Sequence, residues 1–122
     1  MSSRDINDLK PEIKMKALRF VELCKQKGID ILIVCTLRTS EEQDELWQSG
    51  RTKAGKILTN LKGGKSKHNF GLAFDFCVLA NGKCDWNNKD AFLEAGKIGE
   101  SVGLLWAGRW TGKLKETGHF EV

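Results

Sequence analysis

A carboxylate sits in the middle of the most apolar stretch of this chain. Residues 70–79 read FGLAFDFCVL. Leu72, Phe74, Phe76 and Val78 alternate with Ala73, Asp75, Cys77 and Leu79, the period of a β-strand. An ionised side chain buried in such a strand costs several kcal/mol unless it is paired or bound to a metal. Ala73 and Cys77, the neighbours of Asp75 on its own face, are small and leave room above the sheet for an ion. Gly71 lets the backbone bend, so that His68 and Asp75 can converge on one point. An ion pair with Arg38, Arg51 or a lysine would meet the same requirement, so both readings stay open here.

The rest of the chain supplies elements to pack around that strand. Leu9, Ile13, Ala17, Phe20, Val21 and Cys24 recur at helical spacing and predict a helix over 9–27, with Asp8 as cap, Pro11 in the first turn and Gly28 as stop. The run IDILIVCTL at 29–37 predicts a strand buried on both faces. Ser40 and Gln43 form a capping box opening a short helix that carries Leu46 and Trp47 and stops at Gly50. Residues 51–67 predict a long irregular loop, a length that usually signals function. Asn81-Gly82 marks a turn. A second helix is expected over 88–102, then short strands over 104–110 and 118–122. The order α-β-α-loop-β-α-β-β implies an α+β fold with a small, mostly antiparallel sheet.

The chain has 122 residues, enough for a single domain that hides roughly 68% of its unfolded surface. One catalytic domain, 1–122, is expected. Apolar runs stay far short of the about 20 residues of a membrane span. The start MSSRDINDLKPEIK has no apolar secretory core. The four cysteines, Cys24, Cys35, Cys77 and Cys84, form no CxxC pair. With no export leader expected, they are expected to be buried and reduced, and zinc held by four scattered cysteines is not expected.

Two histidines occur, and each travels with a carboxylate. His68 precedes Asp75. His119 follows Glu116 by three residues, in a segment where Phe120 and Val122 face inward and His119 and Glu121 face the other way. Two histidines and an aspartate make three ligands, and three protein ligands plus water is the catalytic zinc pattern. Glu116 is then free to act as general base on a metal-activated water. Arg38 and Gln43 follow the first strand, where either can hold a substrate carbonyl as it becomes an oxyanion. Arg38 is favoured for its forked cation; a surface pair with Glu41 or Glu42 is its plainer role. Cys77, on the face of Asp75, is an alternative thiolate ligand, although a strand cysteine is more often core.

The pattern Ser66-x-His68-x-x-Gly71-x-Ala73-x-Asp75, followed by Glu116-x-x-His119, resembles the signature of M15-type zinc peptidases of the cell wall. These D-alanyl-D-alanine carboxypeptidases and L-alanyl-D-glutamate endopeptidases share a fold with the Hedgehog signalling domain. The stretch Thr36-Leu37-Arg38-Thr39-Ser40-Glu41-Glu42-Gln43, with Leu46-Trp47, Gly50-Arg51-Thr52 and Gly63-Gly64, is similar to phage and prophage endolysins of the L-alanyl-D-glutamate type. The resemblance spans roughly residues 9 to 122. It implies one Zn2+ held by His68, Asp75 and His119, with Glu116 as catalytic carboxylate, Arg38 polarising the scissile carbonyl and Ser66 supporting the site. It also implies cleavage of peptidoglycan stem peptides, most directly at L-Ala–D-Glu. There are two departures. Gly118 stands where relatives often have proline, which would loosen Glu116. Arg109 stands where an acidic residue is common, which would alter the charge of the cleft. A separate wall-binding domain is not expected.

Between Leu46 and Phe74 lie Arg51, Lys53, Lys56, Lys62, Lys65 and Lys67 and no acidic residue, a surplus of +6 against +4 for the whole chain. A basic loop beside the site suits an anionic stem peptide. A D-Ala-D-Ala carboxypeptidase on the same fold is the alternative. A non-catalytic basic module gripping wall or nucleic acid is a remote one, since no groove-reading helix is evident. A monomer is expected, with no nucleic-acid partner and no membrane insertion, kept in the cytoplasm until holin-type release or lysis delivers it to the wall.

Overall fold

The computed structural model describes residues 2–59, 61–112 and 115–122. A 3-10 turn at Ile6–Asp8 leads into α1, Pro11–Gln26. Then come β1 (Ile31–Cys35), α2 (Ser40–Gln48), a 3-10 turn (Lys67–Phe70), β2 (Ala73–Ala80), β3 (Lys83–Cys84), α3 (Lys89–Ser101), β4 (Leu105–Trp106), a 3-10 turn (Ala107–Arg109) and β5 (His119–Glu121). Strands β1-β2-β5-β4 form a sheet in that order, and β3 pairs with β2. These strand pairings are all antiparallel. The α+β expectation holds.

One sheet face packs on α1 and α3. Ile13, Ala17, Phe20 and Cys24 of α1, Phe92 and Ala95 of α3, and Phe74, Phe76 and Phe120 of the sheet form the core. Phe20 is its hub, with ring centroids 5.2 Å from Phe76 and 4.8 Å from Phe120, both edge-on. Helix α3 lies close against the sheet. A Cβ on Gly99 would fall 2.2 Å from the Phe120 ring, so only glycine permits that approach.

Several boundaries differ from the sequence reading, each for a local reason. β1 is shorter than 29–37 and lies at the sheet edge, so Leu32 is 38% exposed rather than buried on both faces. An apolar run reports burial without saying how many neighbours a strand has. The cap of α2 is Thr39, whose hydroxyl accepts from Glu42 N at 3.1 Å; Ser40 is already helical. Asp8 belongs to the preceding 3-10 turn, and Lys10 stands at the α1 N-cap. β2 begins at Ala73 because Phe70 ends a 3-10 turn. The strand expected over 104–110 covers two residues before another 3-10 turn. No helix or strand occurs in 51–66 among the described residues, as a loop there requires; residue 60 lies outside them.

The cysteines are the clearest correction. Cys77 and Cys84 form a disulfide, while Cys24 and Cys35 are free and buried. The Asn81-Gly82 turn, with φ of 54° and 79°, is of the left-handed type that joins tight hairpins. It brings Leu79 opposite Cys84, and the two cysteine Cα atoms to 5.6 Å. A compartment argument cannot see that proximity. The bond also removes Cys77 as a thiolate ligand.

Phe20→Ala should cost about 3–5 kcal/mol of folding stability, as truncation of a fully buried aromatic does. Chemical denaturation measures it, and a loss below about 1 kcal/mol would contradict Phe20 as the centre of the core.

Candidate metal centre and its cleft

Strand register assembles the site. Across β2 and β5, Asp75 pairs with His119. Across β1 and β2, Cys35 pairs with Asp75 after an irregularity following Ile33. His68 arrives on the 3-10 turn that precedes β2. Ser66 caps this turn, its hydroxyl accepting from His68 N at 3.2 Å, and Asn69 Oδ1 accepts in return from Ser66 N at 3.2 Å. The capping box therefore exists here rather than at Ser40. Gly71 closes the turn in the left-handed region, at φ 68°. Asn69 Nδ2 donates to Arg38 O at 2.9 Å and Arg38 N donates to His68 O at 3.0 Å, which ties the turn to the segment after β1.

The two imidazoles share one oxygen. Asp75 Oδ1 lies 3.2 Å from His68 Nε2 and 2.8 Å from His119 Nδ1. Each ring has its other nitrogen committed: His68 Nδ1 lies 2.9 Å from Thr36 O, and His119 Nε2 lies 3.0 Å from Glu121 Oε1. A nitrogen facing a carbonyl or carboxylate carries a proton, so without a metal each ring donates both to Asp75 and to its outer partner. Because Thr36 O and Glu121 hold the protons on His68 Nδ1 and His119 Nε2, deprotonation would free the lone pairs of His68 Nε2 and His119 Nδ1 on the side of Asp75. Such outer partners orient metal-ligating histidines and fix their tautomers.

Two overlapping donor groups could each hold a divalent cation. Cys35–His68–Asp75 and Asp75–Glu116–His119 each lie within 4.8 Å of one another and share Asp75, and the two histidines fall in different groups. Ligands on a tetrahedral zinc, with bonds of about 2.0–2.1 Å, stand about 3.3 Å apart. The 3.2 and 2.8 Å separations are close to that span. Arg38 Nη2 stands 3.9 Å from Asp75 Oδ2 and 3.4 Å from Cys35 Sγ. Asp75 is therefore paired as the ion-pair reading requires, with Arg38 beside one oxygen, and the histidines that the metal reading names lie on the other.

The remaining expected residues divide in role. Glu116 is 60% exposed at its side chain, with Oε2 3.8 Å from His119 Nδ1. Its backbone N–H donates to Ala107 O at 3.2 Å. Gly118 is pinned rather than loose. Its carbonyl accepts from Phe76 N at 2.8 Å, and a Cβ there would fall 2.6 Å from Phe76 O. Gln43 does not face the cleft as an oxyanion donor. Its buried amide accepts from Arg38 Nη1 at 2.9 Å and donates to Thr59 Oγ1 and Leu61 O, so it orients Arg38. Arg109 pairs with Glu100 at 2.8 Å and lies over Trp106, so its charge is engaged by α3.

The basic loop is partly committed to the protein itself. Arg51 and Lys62 stack on Trp47 at 4.6 and 4.4 Å, and Lys67 donates to Val122 O. A cleft of about 1270 Å³ opens over the centre, and Ile57, Leu58, Lys65, Trp86 and Trp110 are among the residues that line it. Sequence reasoning assigned no role to Glu121, Thr36 O, Cys35 or the two tryptophans. The Glu121 signal was present in the His119-Phe120-Glu121 alternation. The others come together only in three dimensions.

Electrostatics follow the geometry. Burial opposes charge on His68, but hydrogen bonds to Asp75 and Cys35 outweigh it and push its pKa up to about 10. Burial likewise opposes charge on His119, and Asp75 and Glu121 raise it to about 9. Burial alone would raise Asp75, yet the two histidines hold it far below the usual carboxylate range.

Comparison with known proteins gives a consistent picture. A family profile described as VanY, D-alanyl-D-alanine carboxypeptidase, matches residues 6–118. The peptidoglycan L-alanyl-D-glutamate endopeptidase CwlK of Bacillus subtilis is 38% identical over 125 residues, covering 95% of this chain and 74% of the relative. The L-alanyl-D-glutamate peptidase of Escherichia phage T5 is 34% identical, covering 84% and 68%. Among solved structures, the L-Ala D-Glu endopeptidase ChiX of Serratia marcescens superposes with a TM-score of 0.71 at 18% identity, over 100% of this chain and 88% of that one. The vancomycin-resistance D,D-pentapeptidase VanY, solved in complex with Zn(II), gives 0.68 at 15% identity, over 93% and 71%. These two structures bear on the fold alone.

The shifts set the pH response of the metal-free protein. His68 and His119 hold protons more tightly when folded, so their stabilisation is complete below the unfolded value of 6.5 and drains away as pH rises towards about 9 and 10. Asp75, depressed, stabilises above its unfolded value of 3.8 and loses that contribution as pH falls. Chelated protein should therefore melt highest between these two unfolded values and several degrees lower at pH 9. A melting temperature unchanged between pH 6 and 9 would show that the histidines are not held this way.

Proposed function

Since the chain belongs to the VanY D-alanyl-D-alanine carboxypeptidase family, we propose that it is a zinc endopeptidase that hydrolyses the L-Ala–D-Glu bond of bacterial peptidoglycan stem peptides. The observation that carries the chemistry is the single Asp75 oxygen shared by His68 Nε2 and His119 Nδ1 beneath an open cleft. The choice of bond rests on relatives named for L-alanyl-D-glutamate cleavage that match this chain over most of its length.

His68, Asp75 and His119 would hold the ion. Zinc bound there supplies Lewis acidity and makes water acidic enough to ionise near neutral pH. Thr36 O and Glu121 keep the two rings aimed inward, and Ser66 holds the turn that carries His68. Arg38, oriented by Gln43, meets the scissile carbonyl oxygen as negative charge develops on it. Glu116, exposed in the cleft beside His119, takes the proton of the attacking water and hands it to the leaving amine. A single catalytic domain acting as a monomer suffices for this work. No helix among the described residues is long and apolar enough to cross a membrane. Holin-type release or lysis would bring the enzyme to the wall.

Mass spectrometry of defined muropeptides tests the proposal in one assay. The expected products carry a new amino-terminal D-Glu, and a chelator abolishes them. Release of terminal D-Ala instead would establish the carboxypeptidase alternative, and cleavage surviving chelation would end the metal mechanism. Glu116→Gln should lower kcat/KM by about 10²- to 10⁴-fold, the usual worth of a positioned proton acceptor, with bound zinc per chain unchanged by elemental analysis. Activity within a few-fold of wild type would remove Glu116 from the role of base.

A further inference from the structure

We propose that Trp86 is a stacking platform for the amino-sugar ring to which the stem peptide is attached. The enzyme would then grip its substrate through unlike chemistry on either side of the scissile bond. This inference rests on the endopeptidase reading and deepens it.

Trp86 is 57% exposed in a cleft wall. One face of its indole is stacked on buried Phe92, with centroids 5.8 Å apart and planes at 19°. Its position is set locally. Asp85 N donates to Val78 O at 2.8 Å, Asp85 Oδ1 accepts from Asn87 N at 3.0 Å, and the Cys77–Cys84 bond holds the strand just before it. Trp86 is thus a firmly held aromatic that keeps much of its surface in water and lines the cleft. It also lies beside the chemistry. A Cβ at Gly118, the residue before His119, would be 3.4 Å from the Trp86 ring.

The two ends of the cleft differ in kind. Trp86 lies against Gly118, just before β5, and Trp110 stands 5.7 Å from His119. At the far end of β5, Lys67 lies 3.9 Å from Glu121 and donates to Val122 O, and it lines the same cleft as Trp86. The L-Ala–D-Glu bond has the same asymmetry. Its amino-terminal side leads to a neutral sugar, and its carboxyl-terminal side carries carboxylates. The C–H face of a pyranose suits the electron-rich face of an indole, and carboxylates suit lysines. A D-Ala-D-Ala bond, far from the sugar, would leave Trp86 idle.

The test compares kcat/KM on an N-acetylmuramyl stem peptide with that on the same peptide N-acetylated but lacking the sugar. Wild type should prefer the sugar-bearing substrate by about five- to tenfold, the worth of one aromatic contact, mostly through KM. Trp86→Ala should reduce the preference below about twofold, and Trp86→Phe should retain most of it. Equal rates on the two substrates in wild type, or an undiminished preference in Trp86→Ala, would overturn the proposal. Failure to cleave either substrate would sink the endopeptidase reading instead. The platform would then be decided by titrating N-acetylmuramyl-L-alanyl-D-isoglutamine and following the Trp86 indole N–H resonance. A shift that the sugar-free dipeptide does not produce supports the platform, and no shift overturns it.

Discussion

The structure turns on one carboxylate placed where a carboxylate should be expensive. Asp75 lies between Phe74 and Phe76, both fully buried, and its cost is met by two imidazoles on one oxygen and an arginine near the other. Removing those partners would leave a charge that is only 25% exposed without compensation, a destabilising polar defect. The site and the scaffold are therefore not separable. The groups that satisfy Asp75 are the groups that would do the chemistry.

Antiparallel register makes that arrangement rigid. Side chains alternate along a strand, so a slip of one residue in the β2–β5 ladder would turn His119 into the core and Phe120 towards the cleft. Phe120 prevents it. It is fully buried opposite Phe74, in contact with Phe20 and close against Gly99. The aromatic core thus sets the position of His119 to within the tolerance a ligand set needs. His68 depends on a different device, a capped 3-10 turn whose hydrogen bonds to the Arg38 segment couple two parts of the site.

The sequence made the central strand and the two histidine motifs legible because their signals are local. An aspartate in an apolar alternation demands partners wherever it folds, and His119-Phe120-Glu121 shows its faces by period alone. Other features are invisible for physical reasons. The edge position of β1 depends on strand order, which no run of apolar residues encodes. The Cys77–Cys84 bond depends on hairpin register, though the Asn81-Gly82 turn was plain. Thr39 outcompeted Ser40 as cap by a single position, within the usual uncertainty of helix ends. Gln43 kept its place near Arg38 but changed its task, because its amide is consumed by Thr59 and Leu61 before it can reach a ligand.

The charge balance of the cluster bears on how such a site can exist both empty and filled. With both rings protonated and Asp75 ionised, the three groups carry a net charge of +1. A divalent cation with neutral rings and the same carboxylate also sums to +1. Exchanging two protons for the ion therefore leaves the field felt by Arg38 and Glu121 nearly unchanged, so the outer hydrogen bonds to Thr36 O and Glu121 can serve both states. The exchange is driven by pH, since the ion must displace protons that folding has made harder to remove. A pair of histidines left unpaired in water would bind metal with less proton competition, but they would lack the fixed tautomers that aim Nε2 of one ring and Nδ1 of the other at a common point. On the proposed metal reading, the harder proton release would be offset by orientation.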